Sequence, residues 1–272
     1  SLSFLLTQIA VPTLELLKPS KALANVTLGA GASAFGSGGT SIGEGATSSG
    51  YFNTAVGKLS TAISSIGATA SGSYSDAMAN YATAVGSYAN ASGLQSVAVG
   101  KSSLASATNS ISIGQSSEAT AQYAAGMGWN ADATGAYSTA IGVTASASGT
   151  GSVSAGNGAS ATGAYSAAIG KNSSAGGNFS AALGFNANSS GTDSIALGNA
   201  ATASATDSTA LGSGATASAT NSTSLGSGAT ANATDSTALG SNATANGDNS
   251  TALGSNATAS GDYSAALGSN AT

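Results

Sequence analysis

Residues 193–212 read DSIALGNAATASATDSTALG and contain two copies of one short motif whose final glycines lie 14 residues apart. The same spacing continues in both directions along the chain. Fourteen glycines stand at 14-residue intervals from Gly86 to Gly268, and no other residue type occupies any of these positions. A fixed period of this kind is the signature of stacked structural units, so the chain is a repeat protein.

Other positions of the repeat are restricted in the same way as this repeat glycine. The residue one before the glycine is aliphatic or Met except at Ala155, and the residue two before it is only Ala, Ser or Gly. Ser is most common four before the glycine, and Ala dominates three and five after it. Midway between successive glycines only Gly or Ala occurs, so each unit consists of two related halves of seven residues.

These positions alternate as they do in short β-strands. Ala215 and Ala217 flank Thr216, which places the alanines on one face and the threonine on the other. Residues 208–212 form a second short strand, and neither half has the 3.6-residue spacing of an amphipathic helix. The repeat therefore predicts an all-β fold, a narrow parallel β-solenoid with coils about 4.8 Å apart. We expect the aliphatic residue before each glycine, such as Leu211, to be buried and Thr216 to be exposed.

The repeats near the beginning of the chain are less regular. Three early glycines keep the 14-residue spacing, but the last of them, Gly57, lies 29 residues before Gly86. This interval indicates one extra residue, which we place between Lys58 and Asn80. The repeats are thereby divided into irregular coils over residues 25–80 and regular coils over residues 81–272.

Residues 1–24 differ in composition from the repeats. Residues 2–17 are mostly apolar, but they are too few to span a bilayer. Residues 22–24, Ala-Leu-Ala, resemble a signal-peptidase site, although the usual basic residues do not precede the apolar run. Two interpretations stay open, a truncated signal peptide and a short N-terminal cap. Because the last repeat stops partway at Thr272, we expect the sequence to be part of a longer protein.

The composition excludes most kinds of catalytic and metal site. The 272 residues include no His, no Cys and no Arg, so zinc sites, disulfides, cysteine nucleophiles and Ser-His-Asp triads cannot form. The net charge of −5 disfavours binding to the phosphates of nucleic acids. We therefore expect no enzyme activity, no metal, no cofactor and no nucleic-acid partner.

Five hexapeptides in the 14-residue register point to a known family. They resemble the Asn-Ser-Val-Ala-Ile-Gly motif of YadA-like head repeats in trimeric autotransporter adhesins of Gram-negative bacteria, and they lie at 109–114, 193–198, 207–212, 221–226 and 235–240. The resemblance covers residues 25–272. It implies a left-handed parallel β-roll, a homotrimer, export, and a head held away from the outer membrane by a coiled-coil stalk. These residues contain no heptads, so the stalk and the membrane anchor are implied by the resemblance alone.

The resemblance implies attachment to host matrix, host cells or other surfaces through many weak repeated contacts, and two alternatives stay open. Thr recurs every 14 residues from 202 to 258 and from 209 to 251, a pattern that suits an ice-binding β-solenoid. The repeat also suits a structural fibre or appendage without a specific ligand. In each case the core of Ala and one aliphatic residue per coil is thin, so we expect identical chains to pack along the rod as a homotrimer.

Aromatic residues recur five positions before the repeat glycine, in a column that elsewhere holds mostly Asp or Asn. They either fill turn corners or form an exposed stripe for ligand contact, since Tyr and Trp are enriched in binding hot spots. The Asp residues of the column are interpreted as turn residues. With Trp129 included, the candidate ligand-contact residues are Tyr81, Tyr123, Trp129, Tyr137, Tyr165, Phe179 and Tyr263.

Overall fold

The computed structural model describes residues 24–272, which consist of strands and turns. This part of the chain contains 35 strands and no helix. The expected signal peptide or cap of residues 1–24 lies outside the described residues, apart from Ala24. Within residues 24–272 there is no helix that has the length and apolar character needed to cross a membrane.

The strands form two sheets that run along the rod. The first sheet contains β1 (Val26–Leu28), β3 (Thr40–Ile42), β5 (Thr54–Val56), β7 (Thr69–Ser71), β9 (Thr83–Val85), β11 (Val97–Val99), β13 (Ile111–Ile113), β15 (Ala125–Met127), β17 (Thr139–Ile141), β19 (Val153–Ala155), β21 (Ala167–Ile169), β23 (Ala181–Leu183), β25 (Ile195–Leu197), β27 (Thr209–Leu211), β29 (Thr223–Leu225), β31 (Thr237–Leu239), β33 (Thr251–Leu253) and β35 (Ala265–Leu267). The second sheet contains β2 (Ser33–Phe35), β4 (Thr47–Tyr51), β6 (Thr61–Ile66), β8 (Asp76–Ala77), β10 (Asn90–Ala91), β12 (Leu104–Ala105), β14 (Glu118–Ala119), β16 (Asp132–Ala133), β18 (Ser146–Ala147), β20 (Ser160–Ala161), β22 (Ser174–Ala175), β24 (Asn188–Ser189), β26 (Thr202–Ala203), β28 (Thr216–Ala217), β30 (Thr230–Ala231), β32 (Thr244–Ala245) and β34 (Thr258–Ala259).

Each strand pairs in parallel with the equivalent strand of the next coil. In the first sheet β27 pairs with β29, and Leu211 lies opposite Leu225. In the second sheet β28 pairs with β30, and Thr216 lies opposite Thr230. Partners are one repeat apart in both sheets, so one repeat makes one coil. The chain is a parallel β-solenoid of about 17 coils, which confirms the fold predicted from the glycine spacing.

The repeat glycine begins the turn that leads from the first sheet to the second. Gly212 has a φ of 136°, a conformation that residues with a side chain rarely adopt. A Cβ atom built on Gly212 would lie 2.6 Å from the carbonyl carbon of Gly226 in the next coil, which is closer than such atoms approach. Glycine is therefore required here both by the backbone conformation and by the close stacking of the coils.

The interior of each coil contains only small side chains. Ala, Ser or Gly occupies all four inward positions of every regular coil. Buried serines also satisfy their hydroxyl groups locally, as Ser208 Oγ does by donating to the carbonyl oxygen of Ala205 at 2.6 Å. The largest fully buried side chain of the described residues is that of Asn53. In the coil of Gly212 the four inward residues, each 0% exposed, are Ser208, Ala210, Ala215 and Ala217.

The aliphatic residue before each repeat glycine lies outside the coil, so the expectation that it is buried is wrong for the single chain. Leu225 is 42% exposed, and Thr216, which was expected to be exposed, is half-buried. The cause is the pleat of the strand, because Ser224 points inward and its neighbours must then point outward. These outward residues form an aliphatic row along the first sheet: Val85, Val99, Ile113, Met127, Ile141, Ile169, Leu183, Leu197, Leu211, Leu225, Leu239, Leu253 and Leu267.

One extra residue interrupts the register near the beginning of the rod, within the interval predicted for it. Thr47 pairs with Thr61 at the usual spacing. Further along the same two strands Tyr51 pairs with Ile66, one residue out of step, because β6 is bulged relative to β4. A bulge inserts a residue without breaking the ladder on either side, so the coils beyond it keep their order.

The side chain of Asn53 fills the interior at this bulge and is fully buried. Its Nδ2 donates to the carbonyl oxygens of Ser49 and Ser64, at 2.9 Å for the latter. Its Oδ1 accepts from the backbone N–H of Ala68 at 2.8 Å and from the hydroxyl of Ser64 at 3.1 Å. One amide thus satisfies backbone groups that the irregular coil leaves without ladder partners.

Replacing Asn53 with Ala is expected to lower the free energy of unfolding by about 3 kcal/mol. The change leaves the buried N–H of Ala68 and the carbonyl of Ser64 without partners, and such groups cost about 1–3 kcal/mol each. Chemical denaturation measures the loss. The control is Asn157→Ala at an exposed turn position, which changes stability by less than about 0.5 kcal/mol. Equal losses for the two variants would contradict the bridging role of Asn53.

Candidate ligand-binding surface

Each regular coil has two turns, which we name by direction. Turn I leads from the second sheet to the first, and turn II leads from the first sheet to the second. Turn I has a left-handed residue five positions before the repeat glycine, such as Tyr137 with a φ of 59°. Turn II has one two positions after the glycine, such as Asn130 with a φ of 49°. This conformation suits Gly and Asn, and it costs other residues about 1–2 kcal/mol.

Six of the seven candidate aromatic residues occupy the left-handed position of turn I, and Trp129 lies in turn II. All seven are exposed, from 46% at Tyr123 to 82% at Tyr263. The rings are thus at turn corners and face solvent at the same time, as both interpretations of the sequence require. The residues in turn I are Tyr81, Tyr123, Tyr137, Tyr165, Phe179 and Tyr263.

The structure brings four of these aromatic residues together in two stacked pairs. The rings of Tyr123 and Tyr137 have centroids 5.1 Å apart and planes 12° apart. Those of Tyr165 and Phe179 have centroids 5.5 Å apart and planes 7° apart. Residues one repeat apart lie on neighbouring coils, so the coil spacing itself sets the ring spacing. In the described part of the chain, no stacked ring partner is found for Tyr81, Trp129 or Tyr263.

Sequence reasoning missed a third stacked pair, in turn II. The rings of Tyr74 and Tyr88 have centroids 4.9 Å apart and planes only 2° apart. The half-repeat of seven residues contained the necessary signal. Tyr88 follows Tyr81 by seven residues, and it occupies the left-handed position of the other turn with a φ of 59°.

The turn geometry does not itself require aromatic residues. Asn109 and Gly151 occupy the same position of turn I with φ values of 57° and 64°. Because Gly and Asn adopt this conformation at lower cost than Tyr, the tyrosines are retained for a property of the ring. The properties that the structure provides are stacking between coils and exposure to solvent.

The acidic residues of turn I take the same left-handed conformation. Asp193, Asp207 and Asp235 have φ values of 54–56°. Asp235 Oδ1 also accepts a hydrogen bond from Asn221 Nδ2 of the previous coil at 2.9 Å. These contacts agree with the interpretation of this column as turn residues. Within residues 24–272, acidic side chains do not gather into groups of three that could hold a metal ion.

The two Thr ranks lie on different sheets. Thr202, Thr216 and Thr230 follow one another along the second sheet. Thr209 and Thr223 pair on the first sheet, where the adjacent outward residues are leucines of the aliphatic row. Each face therefore carries one Thr rank, and the two ranks do not form a single flat array.

Known sequences and structures provide two similarities. The family model described as YadA head domain repeat (2 copies) matches residues 79–103, 91–117, 105–131, 133–159, 161–187, 189–215, 217–243 and 245–271. The crystal structure of the collagen-binding domain of the Yersinia adhesin YadA is 28% identical, with a TM-score of 0.27 over 50% of this chain. The chain spans 65% of the length of that solved chain. No curated protein matches the sequence.

Proposed function

Because the chain belongs to the family of YadA head domain repeats, we propose that it is the adhesive head of a trimeric autotransporter on the surface of a Gram-negative bacterium. The family match, which recurs along residues 79–271, is the observation that carries this proposal. In this role the chain is exported, held at the outer membrane by a stalk and anchor, and attaches the cell to host matrix, host cells or other surfaces.

The exposed aliphatic row supports a homotrimer. The row leaves large apolar side chains such as Leu225 and Leu239 42% and 37% exposed. Burial of one such side chain is worth about 1.5–3 kcal/mol, which is a large gain beside a coil interior that contains only small residues. A cyclic trimer buries the same row of every chain around one axis.

Repetition along the rod supports attachment by many weak contacts. Coils stack in one register, so a surface group that recurs in the sequence also recurs in space, and a trimer presents each such group three times. Linked contacts raise the apparent affinity by about 10²–10⁴ over a single contact. An adhesive head of this kind therefore depends on assembly as much as on any one contact.

Adhesion of coated beads tests the proposal. Beads that carry the purified 272-residue chain are applied under flow to surfaces coated with collagen, laminin or fibronectin, and to cultured host cells. We expect retention of the beads on at least one surface, and loss of retention with a variant that cannot form trimers. Retention equal to that of bare beads on every surface contradicts an adhesive function and leaves the structural-fibre alternative.

A further inference from the structure

The aromatic residues of turn I have one gap in an otherwise continuous column. On five successive coils the left-handed position of turn I holds Tyr123, Tyr137, Gly151, Tyr165 and Phe179. The outer four form the two stacked pairs described above. We call the space between the rings of Tyr137 and Tyr165, above Gly151, the Gly151 gap.

The backbone at the gap is the same as that beneath the rings. Gly151 has a φ of 64°, close to the 59° of Tyr137 and the 56° of Tyr165. Its N–H donates to the carbonyl oxygen of Ala136 at 2.8 Å, and the N–H of Tyr165 donates to that of Thr150 at 2.7 Å. The coil therefore continues unchanged through the gap, and only a side chain is missing.

The dimensions of the gap match one ring. Neighbouring rings of the column have centroids 5.1 and 5.5 Å apart, so rings two coils apart are separated by roughly twice the strand spacing, about 10 Å. A ring inserted midway would lie about 5 Å from each neighbour, within the range preferred by stacked rings. Tyr165 covers the floor, because a Cβ built on Gly151 would be 2.8 Å from Cδ1 of its ring.

The rim of the gap is uncharged and rich in hydroxyl groups. Turn I reads Thr-Gly-Ala-Tyr at 134–137 and again at 162–165, with Ser-Gly-Thr-Gly at 148–151 between them. The charged residues of these coils lie elsewhere, Asp132 on the second sheet and Lys171 in turn II. The exposed hydroxyl-bearing residues at the rim are Thr134, Ser148, Thr150 and Thr162, together with the phenols of Tyr137 and Tyr165.

We infer that the Gly151 gap binds a neutral pyranose ring of a surface glycan, an inference that rests on the proposed adhesive function and names its ligand class. A pyranose has C–H groups on its two faces and hydroxyl groups around its edge. The faces would contact the rings of Tyr137 and Tyr165, and the edge would contact the hydroxyl rim. An uncharged rim fits an uncharged sugar, and an inserted aromatic side chain would leave the rim hydroxyls without partners.

Saturation-transfer NMR on the full 272-residue chain tests the inference, with methyl β-D-glucopyranoside, methyl β-D-galactopyranoside and N-acetyllactosamine as probes and N-acetyltyrosine amide as the aromatic alternative. We expect at least one sugar to bind with a millimolar Kd. Gly151→Tyr fills the gap and Tyr137→Leu removes one wall, and each is expected to weaken sugar binding by about tenfold or more, since a ring contact is worth about 0.5–1.5 kcal/mol.

Gly158→Tyr is the matched control, because it adds the same side chain at the equivalent left-handed position of turn II, where φ is 65°. It is expected to keep sugar binding unchanged. Far-UV spectra check that each variant is folded, and Tyr137→Leu carries the test if Gly151→Tyr is not. The inference is overturned if no sugar binds at about 10 mM, well above a 1 mM Kd, if Gly151→Tyr binds sugar as well as the original chain, or if only the tyrosine amide binds.

The bead assay separates this inference from the proposed function. If the original chain binds no sugar but its beads are retained, the adhesive function stands and the Gly151 gap is not its ligand site. If a sugar binds in the gap but beads are retained on no surface, the site stands and the adhesive function fails. Gly151→Tyr beads that lose retention on glycan-bearing cells connect the two.

Discussion

Replacing Gly212 with Ala is expected to destabilise the β-solenoid by about 3 kcal/mol or more. At a φ of 136°, residues with a side chain are strained by about 1–3 kcal/mol. The added methyl group also meets the backbone of Gly226, 2.6 Å from its carbonyl carbon. Backbone atoms of a stacked coil cannot move aside without breaking their own ladder, so the strain spreads to both neighbouring coils. Thermal melting followed by far-UV circular dichroism measures the effect.

Gly214→Ala is the control for this substitution, in the same turn and only two residues away. Gly214 has a φ of 66°, and a Cβ built on it meets no atom within 4 Å. The left-handed conformation costs Ala about 1 kcal/mol, with no clash in addition. If Gly212→Ala and Gly214→Ala melt at the same temperature, close stacking of the coils does not explain the invariant glycine.

A variant that carries Leu211→Asp, Leu225→Asp and Leu239→Asp is expected to convert the homotrimer into monomers that keep the β-solenoid. These leucines point away from the coil interior, so the carboxylates remain hydrated in a single chain. In a trimer the same carboxylates would be buried without partners, and each would cost several kcal/mol. Sedimentation equilibrium measures the association state, and far-UV circular dichroism reports whether the coils remain.

A matched control adds the same three charges to the second sheet, through Thr216→Asp, Thr230→Asp and Thr244→Asp. These threonines also point outward and pair in the same register, but they lie on the sheet opposite the aliphatic row. The control variant is expected to remain trimeric. A leucine variant that sediments like this control, or an original chain that is a stable folded monomer, would contradict the role of the aliphatic row.

The candidate site was only partly predictable from the sequence. The column that contains Tyr123 and Tyr137 is visible in the repeat, because one position holds aromatic residues in several coils. That these rings stack at 5.1 Å follows only when the coils are placed one above the other. The pair in turn II was missed because the left-handed position of the second half-repeat, at Tyr88, became evident only from backbone angles.

The sequence by itself determined the coil length, the parallel register and the position of the extra residue. Each of these depends on chain length between glycines such as Gly57 and Gly86, and a count of residues measures it directly. The sequence also restricted the inward positions to small residues. It could not show which face of a three-residue strand is inward, because alternation with period two separates the faces without naming them.

Only the tertiary structure decided that Ala210 is inside and Leu211 outside. Size and hydrophobicity alone favour burial of the leucine, which was the expectation. The two sheets of a coil instead meet through Ala and Ser on both sides, as Ala210, Ala215 and Ala217 do at 0% exposure. The space between them has no volume for a leucine. The largest apolar side chains are consequently left on the outer face of the first sheet, where another chain, and not the coil itself, can bury them.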